Sequence, residues 1–201
     1  MPFSVLLISI FLMAGSCAAP STDKEPTPDY RQKAAEAKAF VQAKGYDQTI
    51  CVLIDMRVHS GKKRLAVWDF AKDAPRLEAL VSHGCCDFPW AEDASRAKPT
   101  FSNTDGSHCS SLGKYRIGAR GYSNWGIHVK YLLHGLEPTN SNALARQIVL
   151  HSWEMIPDEE VYPRGATEGW GCPAVSDQTM RELDALLKTR TKPVLLWIFN
   201  Q

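Results

Sequence analysis

Short runs of apolar residues, separated by polar turns, recur along the chain after residue 45. The runs are rich in β-branched and aromatic residues, and they occupy 49–55, 64–70, 77–83, 115–117, 126–133, 147–151 and 193–199. Runs of this composition, bounded by turn residues, are typical of β-strands. The first two flank Ser60-Gly61, which predicts a hairpin. The pattern therefore predicts one mainly β domain.

A different pattern appears near each end of this β-rich region. Residues 30–44 are rich in alanine, with Asp29 as the expected N-cap and Gly45 at the position of a left-handed C-cap. Near the other end, Ser176 can cap a helix over 177–188, whose apolar residues share one face. We expect a helix near each end of the domain.

The first residues predict export. Val5 to Met13 is a short apolar run followed by small residues, which is typical of a signal peptide and too short to span a bilayer. We predict a signal over 1–18, a linker over 19–29 and a folded domain over 30–201. Ala14-Gly15-Ser16-Cys17 is similar to a lipoprotein signal, in which Cys17 is lipidated, whereas Ser16-Cys17-Ala18 suits ordinary cleavage. Both alternatives stay open.

Composition narrows the function classes. The 201 residues carry 23 Lys and Arg against 22 Asp and Glu, for a formal net charge of +1. A nucleic-acid-binding domain would carry a basic stripe, so we expect no nucleic-acid partner. The size is that of one domain, and the 44% of hydrophobic residues is enough to form a core.

The number of cysteines is informative in an exported protein. If Cys17 is lipidated or removed, five of the six cysteines remain, and an odd number leaves one thiol over. A catalytic cysteine would be that thiol. Pairing among the others cannot be read from the sequence, and they can equally be buried thiols: Cys51, Cys85, Cys86 and Cys109.

The segment that most resembles a reactive site is Gly169-Trp170-Gly171-Cys172-Pro173. Glycines on both sides of Trp170 permit a tight turn that projects the thiol and leaves backbone N–H groups open. A thiol that attacks a carbonyl needs such donors to stabilise the oxygen as it gains charge. Cys172 is therefore the candidate nucleophile.

A cysteine nucleophile needs a base, because a free thiol has a pKa of about 8.5 and is mostly protonated at neutral pH. His151 ends the apolar run 147–150, so it is expected at the tip of a buried strand. From local sequence alone it competes with four other histidines: His83, His108, His128 and His134.

Leu150-His151-Ser152, followed 21 positions after the histidine by Gly171-Cys172, resembles the constellation of the murein L,D-transpeptidase catalytic domain, the YkuD-type family, in its branch with a Gly-Cys-Pro motif. Upstream, 101–104 and 110–115 resemble the substrate-side loop and strand of that family. The resemblance covers 30–199 and implies a mainly β, sandwich or barrel-like fold with a helix near each end. One departure is that Trp170 stands where the common family pattern has a histidine.

The resemblance also implies roles for individual residues. Cys172 is the nucleophile, His151 is the base, the carbonyl of Ser152 orients the imidazole, and the N–H groups of Gly171 and Cys172 stabilise the oxyanion. The substrate-binding residues expected on this basis are Trp170, Tyr115, Gly113 and His83. Trp153 is added as an aromatic residue that can line a sugar- or peptide-binding groove.

The implied reaction acts on peptidoglycan stem peptides. Cys172 forms a thioester with the diamino acid, terminal D-alanine leaves, and an amine from a second stem peptide accepts the acyl group. If water accepts it, the protein is an L,D-carboxypeptidase. We expect a monomer without metal or organic cofactor, in the periplasm or cell envelope. The alternative from another class is a non-catalytic envelope protein that binds the wall.

A metal site is the remaining rival. Cysteine and histidine occur in two clusters that could supply four ligands. Their spacing matches no structural zinc pattern, and adjacent cysteines suit tetrahedral binding poorly; disulfides or buried thiols are the simpler interpretation of His83, Cys85, Cys86, His108 and Cys109.

Overall fold

The computed structural model describes Met1, residues 29–87 and residues 99–201. The signal predicted over 1–18 and the linker over 19–29 lie outside the described residues, apart from Met1 and Asp29. Within the described ranges, no helix has the length and apolar character needed to cross a bilayer.

The described residues form two α-helices, one 3-10 helix and eight strands. The helices are Arg31–Lys44 (α1) and Asp177–Leu187 (α2), with the 3-10 helix at Pro138–Asn140. The strands are Ile50–Asp55 (β1), Leu65–Asp69 (β2), Ala74–Ala79 (β3), Gly113–Tyr122 (β4), Val129–Gly135 (β5), Val149–Ser152 (β6), Ala174–Val175 (β7) and Leu195–Phe199 (β8). This is the mainly β domain, with a helix near each end, that the sequence predicts.

The strands form one sheet in the order β3-β2-β1-β8-β4-β5-β6-β7. β1 and β2 pair antiparallel, as the predicted hairpin requires, and β6 pairs parallel with β7. Side chains alternate across β1: Ile50, Val52 and Ile54 face the main core, while Cys51 and Leu53 pack towards α1. Because residues from β1, β6 and α2 share the main core, the sheet wraps around it.

The chain after β3 brings the two ends of the sheet together. We predicted a strand over 77–83, but β3 ends at Ala79. The N–H of Ser82 instead donates to the carbonyl of Ala174 on β7, at 2.9 Å. Gly84 forms a parallel bridge with Gly169, which lies a few residues before β7. The sheet is therefore nearly closed, and the seam lies beside the predicted nucleophile.

Both helix ends follow from local sequence. Gly45 is left-handed, with φ of +67°, and its N–H donates to the carbonyl of Gln42. The hydroxyl of Ser176 accepts the N–H of Thr179, as an N-cap does. The first helix begins one residue later than expected, with Tyr30 and not Asp29 as its N-cap, and the carboxylate of Asp29 accepts the N–H of Arg31.

A buried charge cluster lies beneath the seam. The guanidinium of Arg64 donates to Nδ1 of His83 at 2.9 Å and to the carbonyl of Val81. Because a guanidinium only donates, Nδ1 must accept, and the ring proton is on Nε2, which lies 3.0 Å from the Glu168 carboxylate. All three polar side chains are almost fully buried. A neutral imidazole therefore bridges a buried cation and a buried anion.

Desolvation is the largest influence on Arg64 and lowers its pKa to about 10, so the guanidinium remains charged at neutral pH. His83 and Glu168 lie on the two segments that meet at the seam, and Gly169 donates its N–H to the carbonyl of His83. The cluster thus links Arg64, the residue before β2, to the segment that precedes Cys172.

Removal of the cation tests how much this cluster stabilises the fold. Arg64→Met leaves the Glu168 carboxylate buried without its positive partner, which costs about 3–5 kcal/mol in comparable sites. The control is Arg31→Met, because Arg31 pairs with Asp73 at 3.6 Å with both side chains at least 70% exposed. We expect the control to change stability by about 1 kcal/mol or less. Urea denaturation measures both, and equal effects would contradict the argument.

Candidate active site

Cys172 lies in a tight turn between two fixed points of the backbone. Gly169 forms the bridge with Gly84, and β7 begins two residues after the thiol. Gly171 has φ of +97°, and a Cβ there would lie 2.5 Å from the carbonyl oxygen of Cys109. Glycine alone satisfies both conditions without strain. The turn before the thiol therefore depends on Gly171.

The thiol rests against the start of β6. The N–H of Val149 donates to the sulfur at 3.4 Å, and the thiol donates to the carbonyl of Gln147 at 3.7 Å. A protonated thiol makes both contacts, whereas a thiolate only accepts. The sulfur is thus held beside the strand that carries the candidate base.

His151 occupies that strand with a defined tautomer. It is paired with Ala174, two residues after Cys172, across the parallel β6–β7 ladder. Its Nδ1 lies 2.9 Å from the carbonyl oxygen of Ser152. Because a carbonyl only accepts, Nδ1 carries the proton and Nε2 keeps a free lone pair. Ser152 has the orienting contact that the resemblance implies for it.

Burial is the largest influence on the pKa of Cys172 and on that of His151. It raises the pKa of the Cys172 thiol, while a backbone N–H and the charges of Arg146 and Lys130 lower it. Burial lowers the pKa of His151; the hydrogen bond to a backbone carbonyl raises it, and Lys130 lowers it. Both net shifts favour the uncharged form. The resting pair is therefore a thiol and a neutral imidazole.

The thiol and the imidazole both face a cleft of about 740 Å³. Trp170 and Trp153, two of the predicted substrate-binding residues, lie in its walls. Trp170 is 59% exposed and stacks on His108 with ring centroids 4.8 Å apart. Trp153 meets Trp125 edge to face at 6.2 Å. The cleft therefore has flat apolar walls beside the two reactive groups.

Arg146 also lines the cleft, but the protein itself occupies its guanidinium. Nη1 donates to the hydroxyl of Ser111 at 2.6 Å and to the carbonyl of Ser102 at 2.9 Å. Nη2 donates to the carbonyl of Cys109 at 2.7 Å. Arg146 therefore braces the loop that packs against the nucleophile turn.

Lys130 is a cleft residue that sequence reasoning did not select. It is paired with His151 across the β5–β6 ladder and lines the same cleft. Within the described part of the chain Lys130 forms no ion pair. Its strand was predicted, but the register that places it opposite His151 is a long-range property.

Three predicted substrate-binding residues do not line the cleft. Tyr115 is fully buried, and its hydroxyl donates to the carbonyl of Ser111 at 2.7 Å. Gly113 packs against the side chains of Glu137 and Asn140. Both lie on the inward face of β4, which points to the core. His83, which is 1% exposed, belongs to the buried charge cluster. Their contact with substrate therefore stays a prediction, and none of the three lies in the cleft wall.

Among the described cysteines, only Cys172 lines the cleft. Cys86 and Cys109 form a disulfide, while Cys51 and Cys85 are buried thiols. The disulfide removes two ligands of the rival zinc site. In the described residues, no group of three or more His, Cys, Asp or Glu side chains is placed to hold a metal ion. Cys172 is thus the partly exposed thiol among the described cysteines.

Comparisons with solved structures give distant matches. L,D-transpeptidase (residues 123–326) from Xylanimonas cellulosilytica DSM 15894 is 12% identical, with 80% of this chain and 68% of that chain covered and a TM-score of 0.42. The helical cell shape determining protein Pgp2 from Campylobacter jejuni is 11% identical, with 76% and 48% covered and a TM-score of 0.46. Bdellovibrio bacteriovorus Bd1075 is 14% identical, with 79% and 50% covered and a TM-score of 0.44.

The chain spans about half the length of the Campylobacter and Bdellovibrio proteins. No curated protein matches it. The family comparison is more extensive, because the L,D-transpeptidase catalytic domain matches residues 23–197, which is most of the sequence. The chain therefore belongs to the L,D-transpeptidase catalytic domain family.

Proposed function

We propose that the protein is an exported cysteine acyltransferase that acts on peptidoglycan stem peptides. The observation that carries the proposal is that a thiol and an imidazole of suitable tautomer line one cleft. The Nδ1 proton of His151 is committed to the carbonyl of Ser152, so Nε2 is available to accept a proton. Cys172 lines the same cleft on the neighbouring turn.

The first step is attack on the carbonyl at the L-centre of the diamino acid. The sulfur of Cys172 forms a bond to that carbon while its proton moves to Nε2 of His151. The carbonyl oxygen becomes an oxyanion, which the N–H groups of Gly171 and Cys172 stabilise. Because thiol and imidazole start uncharged, the thiol proton has to pass to His151 in this step.

The second step expels D-alanine. The imidazolium of His151 returns its proton to the leaving nitrogen, the carbon–nitrogen bond breaks, and a thioester remains on Cys172. An amine from another stem peptide then attacks the thioester, His151 takes the amine proton, and the thiol is regenerated. If water attacks instead, the product is a free carboxylate and the protein acts as an L,D-carboxypeptidase.

The cleft suits a substrate that has apolar groups and a negatively charged group. Trp170 and Trp153 offer apolar surface, and the ammonium of Lys130 can bind a carboxylate of the stem peptide. No cofactor is required for this reaction. We propose that the protein functions as a monomer.

Two features support a site of action outside the cytoplasm. The apolar run from Val5 to Met13 and the small residues after it have the pattern of a signal peptide. The disulfide between Cys86 and Cys109 suits an oxidising compartment. Attachment through a lipidated Cys17 and release after cleavage at Ala18 are the two forms that this proposal allows.

Covalent capture by a carbapenem tests the chemistry directly. We expect one adduct per protein by intact-mass spectrometry, none on Cys172→Ala, and formation on His151→Ala slowed by about 10²- to 10⁴-fold, the usual contribution of a general base. Cys85→Ala is the control, because Cys85 is a buried thiol outside the disulfide. A folded protein that forms no adduct would favour the non-catalytic wall-binding alternative.

The pH dependence tests the neutral resting pair. Burial lowers the pKa of His151 from its ordinary value of 6.5, and the reaction needs the neutral imidazole. The rate of adduct formation should therefore fall as pH drops through a midpoint below 6.5. Burial raises the pKa of the Cys172 thiol above that of an ordinary thiol, so the thiol stays protonated at neutral pH. Stopped-flow measurements of the adduct rate across roughly pH 4–10 cover the ionisation of both groups. A thiolate–imidazolium ion pair at neutral pH would contradict the neutral resting pair.

A further inference from the structure

Two backbone N–H groups beside the thiol have no partner among the described residues. Within the described part of the chain, neither the N–H of Gly171 nor that of Cys172 donates a hydrogen bond. The direction of each N–H is fixed by its peptide plane. The Gly171–Cys172 peptide is trans, so its carbonyl and its N–H point in opposite directions.

The carbonyl of Gly171 is held from the protein interior by Ser110. The hydroxyl of Ser110 donates to this carbonyl at 3.2 Å and accepts the N–H of Gly84 at 3.1 Å. A hydroxyl has a single proton, and the contact with Gly84 uses a lone pair, so the proton is directed to Gly171. Because the carbonyl is drawn inward, the N–H of Cys172 is turned outward, towards the cleft.

Ser110 is itself held in place on several sides. It is 1% exposed and follows Cys109, which is joined to Cys86 by the disulfide. Arg146 donates to the carbonyl of Cys109 at 2.7 Å. A Cβ on Gly84 would meet the backbone of Cys109 at 2.7 Å, so the two segments are in direct contact. The backbone segment that carries the Ser110 hydroxyl is therefore firmly held.

We propose that Ser110 is a positioning residue for the proposed acyl transfer, which orients the Cys172 N–H as an oxyanion donor. The inference rests on the proposed function. Ser110 does not touch substrate; it acts through the Gly171–Cys172 peptide. Without its hydroxyl, this peptide is free to rotate and the N–H loses its fixed direction.

The same turn supplies a matched control. The hydroxyl of Ser82 donates to the carbonyl of Cys172 at 3.2 Å and accepts the N–H of Ala174 at 3.0 Å. Ser82 is fully buried. Its bond fixes the Cys172–Pro173 peptide, which has no N–H because proline lacks one. Ser82 and Ser110 thus make equivalent contacts, but only that of Ser110 directs a donor.

The test compares two reactions of one thiol. Acylation, by a carbapenem or a stem tetrapeptide, creates an oxyanion. Alkylation by iodoacetamide displaces iodide at a saturated carbon and creates none. Both rates are measured on the full chain and on Ser110→Ala and Ser82→Ala, with thermal unfolding as the check on folding.

For Ser110→Ala we expect acylation to slow by at least about tenfold, towards the 10²- to 10³-fold cost of losing an oxyanion donor. Alkylation should stay within about twofold, because the thiol and its base are unchanged. With the stem peptide, kcat should fall while KM is retained. For Ser82→Ala we expect acylation and alkylation to change by the same factor.

Several results would overturn the proposal. Full-rate acylation of Ser110→Ala would do so, as would an equal loss of acylation and alkylation, or the same selective loss in Ser82→Ala. These results differ from failure of the proposed function, in which the unsubstituted protein is alkylated at Cys172 but never acylated. That outcome would remove the basis for both.

Discussion

The hydrogen bonds that join residues 82–85 to residues 169–174 are the constraint on which the site depends. β7 has only two residues, and its ladder with β6 alone would not fix the turn before it. The carbonyl of His83 accepts the N–H of Gly169, and the N–H of Cys85 donates to the carbonyl of Gly169, each at 2.8 Å. The same hydrogen bonds therefore close the sheet and position the thiol. The buried Arg64 cluster links the same two segments.

Two histidines with fixed tautomers show why only one is suited to move protons. Both nitrogens of His83 face charged groups, Arg64 on one side and Glu168 on the other, in a site closed to solvent. His151 uses only Nδ1, on a backbone carbonyl, and keeps Nε2 for the cleft. Burial keeps His151 neutral, which a base must be before it accepts a proton. The difference lies in the partners, not in the residue type.

Local signals predicted both helices and most strands but not the two-residue β7, and the resemblance singled out His151 and Cys172, which line one cleft. Gly45 and Ser176 cap their helices as expected, because capping is a short-range property. Tyr115 was assigned to the cleft from its place in a motif, but strand alternation turns it into the core. The role of Ser110 was not predictable, since its partner Gly171 is 61 residues away and meets it only when the sheet closes.

The disulfide connects the chemistry of the site to the compartment in which we propose it acts. Cys86 and Cys109 close a loop of chain, and a closed loop has less conformational freedom to lose on folding. The residue after this disulfide is Ser110, so the cross-link limits the motion of the hydroxyl that holds the nucleophile turn. In a reducing compartment this restraint would be absent, and the segment would depend on Arg146 and on backbone contacts alone. The cross-link therefore restrains the turn as well as the fold. An oxidised cross-link is consistent with a protein whose N-terminal pattern predicts export.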